Sequence, residues 1–214
     1  MKVTIDAICA GRAHPLASGK RSGIAKSPLS GTVVIGLRGL ADDVQVDRRH
    51  HGHPAMALHH MPFEHHEWMA DRFADPEPLG AAGGLGENLS STGLLEPDVR
   101  IGDRFRLGTA LIEVTQPRQP CATIEQHLQR KGVVKAMVAA ARSGWFYRVL
   151  EEGFAQAGDA LVLVERGHPE WSVERAFRCV YAKPGGSESE LRELAALDRV
   201  SDRLIHDIAK RISL

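Results

Sequence analysis

The chain has few of the features that mark secreted or membrane proteins. Its 214 residues contain three cysteines, Cys9, Cys121 and Cys179, which are far apart and form no CxxC pair. An odd and sparse set gives neither a disulfide framework nor a zinc-ribbon signature, and it suits a reducing cytoplasm. No apolar run approaches the ~20 residues of a membrane span. Met1–Asp6 includes an acidic residue and leads into no long apolar segment, so we expect no signal peptide and a cytoplasmic protein.

The chain also lacks net charge, because Lys and Arg number 27 and so do Asp and Glu. This balance argues against a surface that binds nucleic acid, although a local basic pocket is compatible with it. The apolar content of 43% is that of a soluble protein with a packed core. A chain of this length can form one large domain, or one domain with a small appendage.

Turn residues divide the chain into many short β-type segments without a regular alternation of strands and helices. We predict strands over 3–8, 32–35, 57–60, 105–115, 145–150 and 160–164. We predict helices over 63–73, 121–128, 133–142 and 173–181. The segment 11–30 is rich in Gly, Ser and Pro and is predicted to be a loop. This organisation indicates a mainly β fold with a β-barrel-like core and peripheral helices.

A break at Pro184–Gly186 separates the last part of the chain. Beyond it, apolar residues recur at helical spacing: Leu191, Leu194, Leu197, Leu204, Ile208 and Ile212. We therefore expect residues 1–183 to form the main domain and residues 184–214 a small helical module. Its apolar stripes must pack on the barrel or on another subunit.

Cys121 is the foremost candidate for a chemical role. It follows a β-type run, and Pro117 and Pro120 surround Arg118 just before it. Proline fixes φ and donates no backbone N–H, so this turn is stiff and holds the next side chain in place. A nearby cation favours the thiolate, which is the nucleophile and the metal ligand. The alternative is that Cys121 is a small buried hydrophobic residue.

The segment from Asp47 to His53 combines two arginines, three histidines and a glycine. Three interpretations are open: a pocket for an anion, a zinc site that uses His51 and His53, and a solvated loop. Arginine forks match phosphate oxygens, which favours the first. Zinc requires three or four ligands, and no HExxH motif supplies the others.

Two further motifs are weaker on their own. His65 and His66 lie on the predicted helix 63–73, which we interpret as an amphipathic surface helix. Glu87 and Asn88 lie in the glycine-rich segment 84–90 and can offer one carboxylate and one amide to a ring system.

Taken in order, these motifs resemble the MOSC family (molybdenum cofactor sulfurase C-terminal domain), most closely its bacterial YiiM-like branch. The matching pieces are Gly39–Leu40 with Asp43, Gln45 and Asp47–Gly52; Gly86–Leu89 with Gly93; Ile101–Asp103; Pro117–Arg118 with Pro120–Cys121; Gly144–Trp145 with Arg148–Val149; and Gly158–Asp159. The resemblance covers roughly 18–181, and the tail resembles the three-helix module that follows this domain in that branch.

The resemblance implies a β-barrel-like fold that binds the molybdenum cofactor in its molybdopterin form, a pterin dithiolene with a phosphate tail. It implies that Cys121 ligates molybdenum, and a thiolate is a soft ligand. The expected cofactor-binding residues are Lys20, Arg48, Arg49, His50, His51, Asn88, Arg118 and Cys121. The basic residues among them would hold the phosphate, assisted by Arg21. The family also carries an association with pyridoxal phosphate binding.

The expected activity is reduction of N-hydroxylated compounds of the hydroxylamino-purine type, with electrons from a separate reductase. The expected partners are therefore a small N-hydroxylated substrate and that reductase, with a homodimer also possible and with neither nucleic acid nor membrane. Two alternatives stay open: a sulfur carrier with a persulfide on Cys121, and a non-catalytic protein that binds the cofactor.

The chain departs from the family pattern at several positions. Asp42 replaces a usual glycine, His53 and Ala55 replace a usual glycine and aspartate, and Phe146 stands where tyrosine is usual. Asp42 adds negative charge near the expected phosphate, so it can weaken cofactor binding.

Overall fold

The computed structural model describes residues 1–16, 18–44, 46, 53–74 and 79–213. The strands are β1 (Lys2–Gly11), β2 (His14–Pro15), β3 (Arg21–Ser22), β4 (Lys26–Pro28), β5 (Val33–Gly36), β6 (Gly39–Leu40), β7 (Leu58–Pro62), β8 (Leu89–Ser91), β9 (Arg104–Leu107), β10 (Ala110–Pro117), β11 (Trp145–Glu151), β12 (Gly153–Ala155) and β13 (Ala160–Glu165). The helices are α1 (Phe63–Phe73), α2 (Ala122–Leu128), α3 (Val133–Ala140), α4 (Val173–Tyr181), α5 (Glu188–Ala195) and α6 (Asp202–Ile212), with a short 3₁₀ helix at Pro54–Met56.

Seven strands close into a mixed barrel in the order β1, β13, β9, β10, β11, β7, β8 and back to β1. β7 and β8 run parallel, and the other described neighbours in the barrel run antiparallel. Closure leaves the barrel without an open edge. β4 extends the sheet along the last residues of β1, and β5, β6 and β12 form a separate small sheet. The predicted fold class is confirmed.

The barrel interior is filled by side chains rather than by solvent. Ile112 and Val114 of β10 point into it, where Phe105, Trp145 and Tyr147 supply the largest buried rings. The rings of Phe105 and Tyr147 meet edge to face, with centroids 6.1 Å apart. Small barrels can be packed cores of this kind.

Some predicted loops contain strands. The segment 11–30 contributes β2, β3 and β4, and the glycine-rich segment after Gly86 leads directly into β8. These strands are two or three residues long, and their side chains have weak β propensity. β4 and β8 form because each lies beside the longer strand β1, whereas β2 and β3 pair with each other; such pairing overrides local preference.

Helix α1 has the predicted bounds, but its interpretation as a surface helix is wrong. His65 is 3% exposed and His66 is fully buried. Each imidazole contacts a carboxylate from another part of the chain: His65 meets Glu96 and His66 meets Glu87. Buried polar side chains are tolerated where such partners satisfy them.

The region after residue 183 contains α5 and α6, each started by a serine side chain that accepts a backbone N–H. Their apolar residues Leu191, Leu194 and Leu204 belong to the same buried cluster as the barrel interior. The division of the chain at residue 183 stays a prediction. None of the helices in the described part of the chain combines the length and apolar character needed to cross a bilayer.

Two carboxylates connect this C-terminal region to the barrel. Arg199 Nε lies 3.8 Å from Glu113 Oε2, and Arg199 Nη2 donates to Glu165 at 2.6 Å. Both carboxylates also receive Arg104 of β9, at 2.7 Å each. Arg148 of β11 donates to the carbonyl oxygen of Arg199 at 2.7 Å. The segment between α5 and α6 is therefore attached by polar contacts as well as by apolar packing.

Replacement of Leu204 tests this packing. We expect Leu204→Ala to lower the free energy of unfolding by roughly 2–5 kcal/mol, because it leaves a cavity in a fully buried site. Ile205→Ala is the matched control in the same helix, since Ile205 is 38% exposed and should cost far less. Urea denaturation measures both. Equal losses for the two variants would show that α6 does not pack on the barrel as described.

Candidate functional site

A cavity of about 260 Å³ opens beside Cys121. It brings together four of the predicted site residues: Lys20, Asn88, Arg118 and Cys121. The other predicted residues, Arg48, Arg49, His50 and His51, lie outside the described part of the chain. The cavity also contains residues that sequence reasoning did not assign to the site, above all Lys26 and His59.

Cys121 is half-buried and immediately precedes α2, with an extended backbone. The turn before it is attached to a neighbouring turn: Arg118 N donates to Gly144 O at 3.0 Å, and the Ser143 hydroxyl donates to Arg118 O. Cys9 and Cys179 are buried in the protein, whereas Cys121 lines the cavity. The stiff turn thus places one thiol of the three where a ligand can reach it.

Arg118 is the most unusual group in the cavity wall. Its residue is 7% exposed, and its Nη2 donates to Leu85 O at 3.1 Å. Its Nη1 is buried and has no hydrogen-bond partner in the described part of the chain. Burial lowers the pKa of this guanidinium, and attraction to Cys121 and Glu87 opposes that effect. A cation in the wall of a cavity favours an anionic ligand.

A second cation, Lys26, lies in the same wall. Its Nζ is 2.5 Å from Asp43 Oδ2, and both side chains are nearly buried. Burial lowers the pKa of Lys26, while the Asp43 charge works in the opposite direction. Asp43 Oδ1 accepts from Gly11 N at 2.9 Å, so the carboxylate is itself held by β1. Nothing in the local sequence marked Lys26, because its strand forms only by pairing with β1.

Asn88 ties three segments together. Its Nδ2 donates to Cys9 O at 3.2 Å and to Asp43 Oδ2 at 2.9 Å, and its Oδ1 accepts from His59 N at 3.1 Å. Both amide hydrogens are therefore engaged by protein atoms. The side chain fixes the relative positions of β1, β7 and Asp43, and its role in holding a ligand stays a prediction.

Glu87 does not face the cavity, so its predicted contact with a ring system is wrong. Its carboxylate is fully buried and receives His66 Nε2 at 2.7 Å, Gly83 N at 2.5 Å and Leu85 N at 3.2 Å. His66 Nδ1 faces Leu79 O at 2.8 Å. Both ring nitrogens thus face acceptors, which requires a doubly protonated imidazolium.

The pKa values of this pair move accordingly. Burial alone would raise the pKa of Glu87, but the charge and hydrogen bond of His66 and the backbone donors bring it down to about 2. Burial alone would lower the pKa of His66, but Glu87 and the Leu79 carbonyl raise it above its usual range. The two groups form an ion pair at neutral pH.

The zinc interpretation receives no support from the described residues. His53 Nδ1 accepts from Ala55 N at 3.2 Å and starts the 3₁₀ helix. His51 lies outside the described part of the chain. Among residues that the structure describes, no three His, Cys, Asp or Glu side chains are grouped so as to hold a metal ion.

Comparison with known proteins defines the class to which this fold and cavity belong. The MOSC domain model matches residues 47–162. Protein YiiM of Escherichia coli (strain K12) is 37% identical over 196 residues, which cover 92% of this chain and 87% of that protein. The chain therefore belongs to the MOSC-domain family, and within it this is a YiiM-like protein.

Solved structures and a fungal relative agree with this assignment. The crystal structure of YiiM from Geobacillus stearothermophilus matches with a TM-score of 0.81 at 29% identity, covering 99% of this chain and 100% of that chain. A protein of Gibberella moniliformis (strain M3125 / FGSC 7600) named "Reductase" is 32% identical over 163 residues, 76% of this chain but only 29% of the fungal protein.

Removal of the Glu87 charge tests the buried pair. We expect Glu87→Gln to lower the free energy of unfolding by roughly 3–5 kcal/mol, because it leaves a buried imidazolium without its partner. The depressed pKa of Glu87 contributes stability above about pH 4.5, which is lost as the pH falls toward 2. The raised pKa of His66 contributes stability below pH 6.5, which is lost as the pH rises through the folded-state value.

The loss of unfolding free energy in Glu87→Gln, relative to the wild type, should therefore be largest between pH 4.5 and 6.5 and become smaller as the pH rises further. Urea denaturation across this range measures it. Glu67→Gln, an exposed change on the same helix α1, is the matched control and should show no such profile. A loss of unfolding free energy that does not vary with pH would contradict the ion pair between His66 and Glu87.

Proposed function

We propose that this protein is an oxidoreductase that binds the molybdenum cofactor in the cavity beside Cys121 and reduces N-hydroxylated compounds. One observation carries the proposal: a reachable thiol and a buried guanidinium with an unpartnered donor line the same cavity. Membership in the MOSC-domain family and the relative named as a reductase support it.

The residues present fit such a cofactor. A thiolate at Cys121 is the soft ligand that a metal bound by dithiolene sulfur would accept. The cavity wall carries four cationic side chains, Lys20, Arg21, Lys26 and Arg118, which suit a phosphate tail. Arg48 and Arg49, which the sequence assigns to the same phosphate, remain part of the proposal.

Each of these groups has a separate task. Cys121 would ligate the metal, and its position depends on the attachment of the 117–120 turn to Gly144. Arg118 would contribute positive charge from the cavity wall, while its Nη2 stays on Leu85 O. Lys26 would contribute positive charge from inside the wall, where Asp43 holds it.

When bound, the cofactor would supply two electrons, and with two protons these convert an N-hydroxyl group into N–H and release water. The electrons would come from a separate reductase. The protein would supply binding, orientation and electrostatics, which is the usual division of work in cofactor enzymes.

Replacement of the thiol tests the metal-ligand role. We expect Cys121→Ser to fold normally and to lose roughly hundredfold or more of its turnover, because oxygen is a harder donor than sulfur. The assay follows 6-hydroxylaminopurine reduction by reduced methyl viologen, with molybdenum and pterin measured in the same samples. Cys179→Ala is the control variant, since Cys179 is buried and does not line the cavity.

Most of the activity surviving in Cys121→Ser would exclude the role of Cys121 as metal ligand. A persulfide on Cys121 in wild-type protein that contains no molybdenum would instead identify a sulfur carrier.

The cationic rim predicts a separate effect on cofactor retention. We expect Lys20→Glu to lower the pterin retained after dialysis by roughly tenfold at low salt, and by less at high salt, because exposed charges are screened. Lys2→Glu is the matched control, an exposed lysine that does not line the cavity. Oxidation of the pterin to its fluorescent form measures retention. Equal losses of pterin in the two variants would show that the phosphate is not bound beside Lys20.

A further inference from the structure

His59 is a buried histidine in the wall of the cavity, and packing within the fold does not account for both of its ring nitrogens. It is 3% exposed, lies on β7 and lines the same cavity as Arg118 and Cys121. Its ring lies beside that of Phe146, with centroids 5.2 Å apart. Its backbone is fixed on both sides by Asn88, which accepts from His59 N and donates to His59 O.

One ring nitrogen of His59 has a definite protonation state. Nε2 lies 3.0 Å from the carbonyl oxygen of Ser143. A carbonyl oxygen can only accept, so Nε2 must carry the hydrogen. Burial and the positive charge of Arg118 hold the pKa of His59 well below its usual range, so the ring is neutral. In a neutral ring with hydrogen on Nε2, Nδ1 carries a lone pair and is an acceptor.

That acceptor is not used by the protein. Nδ1 of His59 has no hydrogen-bond partner in the described part of the chain. Nδ1 of His65 also has no partner, but that atom is buried from solvent, whereas Nδ1 of His59 is not among the buried unpartnered atoms. Nδ1 of His59 is therefore open to the cavity, and a ligand can reach it.

The chemical character of the wall makes this acceptor distinctive. Lys20, Lys26 and Arg118 can only donate hydrogen bonds. The carboxylate oxygens of Asp43 already accept from Gly11 and Lys26. An uncommitted acceptor among these donors selects for a ligand that presents an N–H or O–H at this point.

We infer that His59 is a ligand-binding residue whose Nδ1 accepts a hydrogen bond from an N–H or O–H group of the molecule bound in the cavity. The inference rests on the proposed function and deepens it, because both the proposed cofactor and the proposed substrate carry such donors. The pterin ring has N–H groups, and an N-hydroxylated substrate has both N–H and O–H. The chemistry is shared, and experiment can separate the two sources.

Two amide variants separate the hydrogen bond made by Nε2 from the one proposed for Nδ1. In His59→Gln, the amide reaches the Nε2 position and can still donate to Ser143 O, but no acceptor remains at the Nδ1 position. In His59→Asn, the shorter amide keeps an oxygen near the Nδ1 position and loses the bond to Ser143. His206→Gln, an exposed histidine on α6, is the matched control.

Three quantities are measured for each variant expressed in a cofactor-competent host: thermal unfolding, molybdenum and pterin content, and kcat and KM for 6-hydroxylaminopurine with reduced methyl viologen. We expect His59→Gln to unfold near the wild-type temperature and to lose about tenfold in one of the two binding readouts, the effect of one hydrogen bond to a ligand. His59→Asn should recover most of that loss although it is the less stable variant.

The readouts assign the donor. A fall in pterin content in His59→Gln identifies the cofactor as the donor, and an unchanged pterin content with a raised KM and a similar kcat identifies the substrate. Wild-type protein with pterin and a His59→Gln variant unaffected in both readouts would overturn this inference alone. Wild-type protein without pterin would remove the proposed function and the inference together.

Discussion

The cavity depends on two buried histidine–carboxylate contacts made by adjacent histidines of α1. His66 meets Glu87, and Glu87 also accepts the N–H groups of Gly83 and Leu85. The carboxylate therefore determines the path of the loop 83–86. The carbonyl oxygen of Leu85 in that loop is the acceptor for Arg118. One buried charge thus positions the guanidinium that lines the cavity.

His65, through its own carboxylate partner, positions a second part of the cavity wall. Its partner Glu96 accepts from Ser143 N at 3.0 Å and from Gly144 N at 2.8 Å. Ser143 O then receives His59, and Gly144 O receives the backbone of Arg118. A single helix turn, through two carboxylates, therefore positions both Arg118 and His59. Side chains that are held by such second-layer hydrogen bonds keep a defined position, which suits a binding site.

The charge of the site contrasts with that of the chain. The protein has no net charge, yet Lys20, Arg21, Lys26 and Arg118 line one cavity. Two of these cations are largely buried, where a charge is costly without a partner. Asp43 supplies that partner for Lys26, whereas Arg118 retains an unsatisfied N–H. The balance of composition therefore conceals a local field that is suited to an anionic ligand.

The sequence by itself determined the mainly β class, the bounds of α1 and the position of Cys121 after a proline-stiffened turn. These features depend on local periodicity and local φ restriction, which the sequence shows directly. It did not reveal that His65 and His66 are buried, that Glu87 faces inward, or that Lys26 and His59 reach the cavity. Each of these facts depends on a partner distant in the chain, such as Glu96 for His65 and Ser143 for His59. Only tertiary structure decides whether a polar side chain is buried, because only there does the distant group exist that satisfies it.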